Sequence, residues 1–168
     1  MTDRLPDLRS RCSIDRTLEV VGDRWSVLLV RNAFRGRSRF AEFRDSLGIA
    51  SDVLTARLRT LVDAGILERR PYRDAGSRER FSYHLTPAGI DLLPVLGALQ
   101  QWGDDHRPSP DGPPATFRSA LDGAPVRVAF VDGDDHVLPV TDVVNVPREG
   151  VPASVGFARQ QLAAAQQS

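Results

Sequence analysis

Residues 49–86 leave this chain few folds to choose from: IASDVLTARLRTLVDAGILERRPYRDAGSRERFSYHLT. Leu54, Leu58, Leu61 and Val62 recur at i, i+4, i+7 and i+8, the spacing of one apolar helical face. Ser51 stands where an N-cap is needed, because its hydroxyl oxygen can accept an otherwise orphan backbone N–H. Gly65 follows the last periodic residue, as glycine does where a helix must turn off in a left-handed conformation. Ile66–Tyr72 and Arg80–Leu85 read as two strands, with turn residues at Asp74-Ala75-Gly76-Ser77. A helix leading at once into an arginine-tipped hairpin predicts a winged helix, a shape suited to DNA.

Charge supports that reading. The formal net charge of the 168 residues is zero, but between Arg24 and Arg80 there are 13 arginines against 7 acids. From Arg107 onward 5 arginines face 7 acids, so the totals conceal a basic block and an acidic tail. Every basic residue is arginine, whose planar fork can hold phosphate or guanine through two bonds. No apolar run approaches the roughly 18 residues that span a bilayer, and MTDRLPDLRSRC lacks the apolar centre of a signal peptide. A cytoplasmic location with no membrane association is expected. The single Cys12 excludes an internal disulfide and a cysteine-rich zinc site.

Taken in order, residues 1–12 form a polar, arginine-rich arm. Ile14, Leu18 and Val21 mark a short first helix closed by Gly22. Asp23 is a possible N-cap for a second, apolar on nearly all sides and therefore buried, which Gly36 breaks. Phe40, Phe43 and Leu47 mark a two-turn helix ending at Gly48, and the Ile49-Ala50 turn joins it to the helix above as a helix-turn-helix. After the hairpin, Thr86 caps a long helix to about Asp105 with Pro87 at its first position, and Pro94 should bend it. One domain over 13–106 is expected, then a Pro- and Gly-rich linker over 107–115. Residues 116–168 make a small appendage with strands at Val126–Val131 and His136–Val146 joined by Asp132-Gly133, and a weak helix at Val155–Gln167. The fold class is α+β and mostly helical.

The blocks CSIDRTLEVVGDRW (12–25), RFAEF (39–43), LTARLRTLVDAGILERRPY (54–72), YHLTPAGIDL (83–92) and QQWGDDH (100–106) together resemble the HxlR-type, MarR-like winged helix-turn-helix transcriptional regulators. The resemblance implies a homodimer built from the first helix and the long helix after the wing. It also implies a pseudo-palindromic operator on double-stranded DNA and a repressor more than an activator. The family usually has proline after the N-terminal cysteine, where this chain has Ser13. Several members sense oxidants or electrophiles at the position of Cys12, which makes it a candidate redox sensor beside Arg9, Arg11 and Arg16. Some longer relatives carry a cysteine-bearing ribbon after this domain. The appendage resembles such a ribbon with every cysteine replaced, so no zinc is expected.

Advancing 100° per residue puts Ala56, Arg59, Thr60 and Asp63 opposite the apolar face, with Asp52 near and Thr55 and Arg57 at the flanks. Recognition helices read base edges with their N-terminal half, which selects Ser51, Asp52, Thr55, Ala56 and Arg59. Arg59 suits guanine O6 and N7, while Thr55 and Ala56 suit a thymine methyl. Asp52 could accept from cytosine N4, although an acid in the first turn more simply suits the helix dipole, and Arg57 either holds phosphate or pairs with an acid. Arg37, Arg39, Arg73, Arg78 and Arg80 are candidate phosphate contacts, which position a protein without reading sequence. His136 with Asp132, Asp134 and Asp135 reads as a solvated turn. No nucleophile–base pair, phosphate loop or dinucleotide glycine pattern supports an enzyme or a cofactor. Two other readings stay open: a winged-helix protein-interaction module that has lost DNA, and a regulator controlled by a small ligand or partner at the appendage.

Overall fold

Asp23 starts the helix around which the first part of the chain is built. Its carboxylate accepts from the Trp25 N–H (2.9 Å), the Ser26 N–H (3.2 Å) and the Ser26 hydroxyl, satisfying donors that a helix start leaves orphaned. The computed structural model describes residues 12–76, 78–143 and 145, in a chain that divides into two units, 1–109 and 110–168. The first holds α1 (Ser13–Val21), α2 (Arg24–Phe34), α3 (Phe40–Leu47), α4 (Ser51–Asp63), β1 (Leu67–Tyr72), β2 (Arg80–Leu85), α5 (Pro87–Ile90) and α6 (Leu93–His106). This is the expected mostly helical α+β architecture, a helix-turn-helix followed by a hairpin wing.

The core gathers α2, α3, α4 and the root of the wing. Leu29, Val30, Phe43, Ile49, Leu54, Leu58, Leu61 and Leu67 are at most 4% exposed. Each such side chain contributes about 1.5–3 kcal/mol by leaving water. The i, i+4, i+7 row of α4 is therefore its buried face, as its periodicity requires. Two polar residues of α2, Ser26 and Asn32, are buried among these. Asn32 Nδ2 donates to Ser46 Oγ (2.7 Å), which donates to the Phe43 carbonyl (3.1 Å), fastening α2 to α3. Sequence periodicity missed this staple.

The turn out of α4 is a Schellman motif. The Ile66 N–H reaches the Leu61 carbonyl (2.9 Å) and the Gly65 N–H the Val62 carbonyl (3.0 Å), with Gly65 at φ +70°. From there β1 and β2 pair antiparallel, Leu67 opposite Leu85 and Tyr72 opposite Arg80. Residues before α3 add a short third edge: Arg39 bridges Ser82, and the Tyr83 N–H donates to the Ser38 carbonyl (2.7 Å). At the wing's far end Thr86 caps α5 by accepting from the Gly89 N–H (3.1 Å).

Four expectations need correction. Ser51 is the first residue of α4 and Ala50 its N-cap, because the Leu54 N–H already bonds the Ala50 carbonyl (2.9 Å). The long helix after the wing is two helices, α5 and α6, separated at Asp91-Leu92. Pro94 has no N–H to give the preceding turn, and its ring excludes the carbonyl four residues back, so the helix restarts instead of bending. In the second unit β3 spans only Phe130–Val131 and β4 only Val137–Leu138. Pro139 stops β4, and a 3-10 turn takes up Val140–Asp142. A tighter hairpin precedes them, with Arg118 bridging Pro125 and the Val126 N–H on the Phe117 carbonyl (3.1 Å). The expected arm up to residue 11 and the helix at Val155–Gln167 lie outside the described residues.

Candidate nucleic-acid interface

With Leu54, Leu58 and Leu61 turned inward, α4 must present its other side to solvent. Ser51, Asp52, Thr55, Ala56 and Arg59 are all exposed there. Thr55 Oγ1 donates to the Ser51 carbonyl (2.7 Å), which fixes its rotamer and leaves its methyl and oxygen lone pairs for a ligand. Arg59 is 83% exposed and, among the described residues, pairs only with Asp63 at 3.6 Å, one turn along the same helix. A pair this open is screened and weakly held, so the guanidinium is available.

Arg57 behaves differently. It is half-buried and turned off the outer face, its Nε 3.3 Å from Asp23 Oδ1 at the start of α2. Of the two roles weighed for it, phosphate or an acidic partner, the geometry has the acidic partner. Burial pushes the Asp23 carboxyl up, but the Ser26 hydroxyl and N–H, Arg57 and the Trp25 N–H together outweigh it and hold the group below its ordinary value.

The wing carries the remaining cations. Arg73, Arg78 and Arg80 are exposed, and among the described residues none is in an ion pair. Arg37 is likewise exposed. Arg39, also exposed, has partners within the chain. Its two terminal nitrogens lie 3.4 Å from the two Asp74 oxygens, and its guanidinium sits 4.5 Å from the Tyr72 ring centre. Its backbone N–H and that of Ser38 donate to Glu42 (2.9 and 2.8 Å), and these bonds hold the Glu42 carboxyl below its usual range. Arg39 therefore ties the start of α3 to the wing. Arg69 stacks over Phe81 at 4.7 Å and Arg70 pairs with Glu68, so both are committed within the sheet.

On another face, α1, α2 and α6 border an apolar cleft of about 480 Å3 that includes Ile14, Leu18, Val30, Leu96 and Leu99. Ile14, Leu18 and Trp102 remain 66%, 55% and 58% exposed. An apolar concentration of this kind marks an interaction surface. Trp102 thus lies outside the core. Cys12 is exposed at the N-cap position of α1, beside this cleft's first residues.

In the second unit Asp132, Asp134 and His136 lie within 4.8 Å of one another through their ligand-type atoms, all exposed. Asp132 Oδ1 accepts from the Asp134 and His136 N–H groups (2.9 and 3.0 Å), so this carboxylate organises the turn between β3 and β4. The positive φ of that turn falls on Asp135 (63°). No helix among the described residues is long and apolar enough to cross a membrane.

Comparison with known proteins agrees with this geometry. The family model described as an HxlR-like helix-turn-helix matches residues 20–111. An uncharacterized HTH-type transcriptional regulator of Mycobacterium tuberculosis is 45% identical over 106 residues, covering 63% of this chain and 66% of that relative's length. The crystal structure of PA1607, a protein named only as a candidate transcription factor, superposes with a TM-score of 0.72 at 40% identity, covering 84% of this chain and 98% of the other. That share exceeds what residues 1–109 can supply, so the likeness extends into the second unit. The redox regulator HypR in its reduced form has a TM-score of 0.52 at 32% identity, covering 57% of this chain and 94% of its own. With more than half of its residues matched by the family model and with the winged helix in place, this chain belongs to the HxlR-like helix-turn-helix family.

Proposed function

We propose that this protein is a homodimeric, sequence-specific DNA-binding regulator that represses transcription from a pseudo-palindromic operator. One observation carries the reading. A helix whose inner row is fully buried presents Ser51, Asp52, Thr55, Ala56 and Arg59 outward, next in sequence to a hairpin with exposed Arg73, Arg78 and Arg80. The outer row of α4 enters the major groove, Arg59 taking guanine and Thr55 and Ala56 a thymine methyl. The wing arginines and Arg37 hold phosphates. The apolar cleft between α1 and α6 receives the same face of a second copy, which sets two recognition helices about one DNA turn apart. The work is binding, not catalysis, and it is done in the cytoplasm.

The test is affinity measured on operator DNA selected from a random library with the full chain. Nanomolar binding to a two-fold sequence supports the reading. Failure to select any sequence, with or without residues 107–168, would favour a protein-interaction module instead.

A second reading adds a redox input. Cys12 is exposed at the start of α1, and HypR, solved in reduced and oxidized forms, is 32–33% identical to this chain. Oxidation at Cys12 would act on a helix that borders the dimer cleft. Diamide should then weaken operator binding by the wild type and leave Cys12→Ser unchanged; equal responses of the two proteins would exclude Cys12 as the sensor.

A further inference from the structure

We infer that Arg57 is a positioning residue that, through Asp23, sets the angle of the recognition helix relative to the dimer face and so determines the spacing of half-sites the protein accepts. The inference rests on the dimeric reading above. It begins from how α4 is held. Its inner contacts, Leu54, Leu58 and Leu61, are apolar, and apolar packing is non-directional, tolerating small rotations and slides of a helix on its bed. The hydroxyls of Thr55 and Thr60 return to α4's own backbone, and Arg59 pairs within the helix. Among the described residues, Arg57 to Asp23 is the one ion pair or side-chain hydrogen bond that joins α4 to another element.

Its far end is well placed for such a role. Asp23 is the N-cap of α2 and directly follows Gly22, the elbow from α1. Gly22 leaves no room for a Cβ, which would collide with the Leu18 carbonyl in the last turn of α1, so the elbow is held tight at that point. Gly22, Leu18 and Val21 also border the apolar cleft. Asp23 is thus common to the elbow of the proposed dimer face and to the recognition helix.

The contact is also incomplete. Arg57 Nε is buried and makes no hydrogen bond, although Asp23 Oδ1 is 3.3 Å away. That oxygen is already taken by the Trp25 and Ser26 N–H groups. Charge holds α4 in place while a buried donor stays short of an acceptor, a penalised state that a small movement of α4 against α2 would relieve. A strut of this kind fixes an angle without locking it.

The experiment uses the selected operator and a series in which one base pair is added to or removed from between the half-sites. Each change turns one half-site by about 34° relative to the other. Wild type, Arg57→Gln, Arg57→Lys and Asp23→Asn are compared as full chains, Asp23→Asn keeping an oxygen for the α2 cap. A strut predicts that wild type loses about tenfold or more per added base pair, that Arg57→Gln and Asp23→Asn each lose no more than about threefold, and that Arg57→Lys recovers part of the selectivity. The salt slope of binding stays at the wild-type value in all four. A slope lower by about one unit in Arg57→Gln, with Asp23→Asn like wild type, would make Arg57 a phosphate contact and overturn the inference. Loss of thermal stability with an unchanged spacing profile would reduce the pair to a structural tie and overturn it too. In both cases a sharp wild-type optimum leaves the dimeric reading standing. A wild type indifferent to spacing would overturn both.

Discussion

Replacing Arg59 with alanine separates DNA recognition from folding more cleanly than any other change in this chain. The side chain is 83% exposed and its partner Asp63 is 69% exposed at 3.6 Å. Such i, i+4 pairs contribute about 0.3–0.5 kcal/mol, and alanine's better helix propensity returns part of that. The folded state should therefore be unchanged within experimental error. On DNA the account differs. A bidentate arginine–guanine contact discriminates by about 1–3 kcal/mol, which corresponds to roughly 5- to 150-fold in affinity. Measured by fluorescence anisotropy on the selected operator, Arg59→Ala should fall within that range and flatten preference at one base position in each half-site. Asp63→Asn should move the other way, by no more than about threefold, because it releases a weakly held guanidinium. Affinity within twofold of wild type for Arg59→Ala, with every base preference kept, would refute the assignment of the outer face of α4.

Other consequences follow from single contacts. Leu99→Asp places a charge in the apolar cleft and should convert the proposed dimer to a monomer by sedimentation while the fold survives. Gly65→Ala meets no atom within 4 Å but must adopt φ +70°, so it should destabilise by about 1–2 kcal/mol from backbone strain alone. Urea titration reads this directly. Because the Asp23 carboxyl is held below its ordinary value in the folded chain, its stabilising contribution is complete above the unfolded carboxylate range and is lost as pH falls through the lower folded value. Wild type should then exceed Asp23→Asn in stability at pH 7, and the gap should close in strong acid. A gap independent of pH would contradict the charge argument.

Most of the architecture was legible because it depends on periodicities and caps that act locally. The leucine row of α4, Gly48 and Gly65 at helix ends, Asp23 as a cap and Thr86 before Pro87 all behave as their chemistry requires. What escaped depends on partners distant in sequence. A helical projection put Arg57 at the flank of the apolar face and Arg59 opposite it, but not that the acid beside Arg57 is Asp23, thirty-four positions earlier, while Arg59 faces water. That Arg39 has Asp74 and Tyr72 beside it, through the pairing of Arg39 with Ser82, could not be read from its neighbours in sequence. The Asn32–Ser46 staple was invisible for the same reason. In the second unit Pro139 ended at Leu138 a strand expected to run from His136 to Val146.

In the proposed complex the outer face of α4 sits in the groove of a two-fold site. This arrangement can be tested by placing a cutting reagent on that face. Cys12 is the only cysteine in the sequence, so a Cys12→Ser, Ala56→Cys chain carries a single thiol to which iron–EDTA can be attached. Bound to its operator, the conjugate should cut the DNA in two clusters related by the operator dyad, with centres about 10 base pairs apart. A single cluster, or intact DNA under conditions where the conjugate remains bound, would contradict the account.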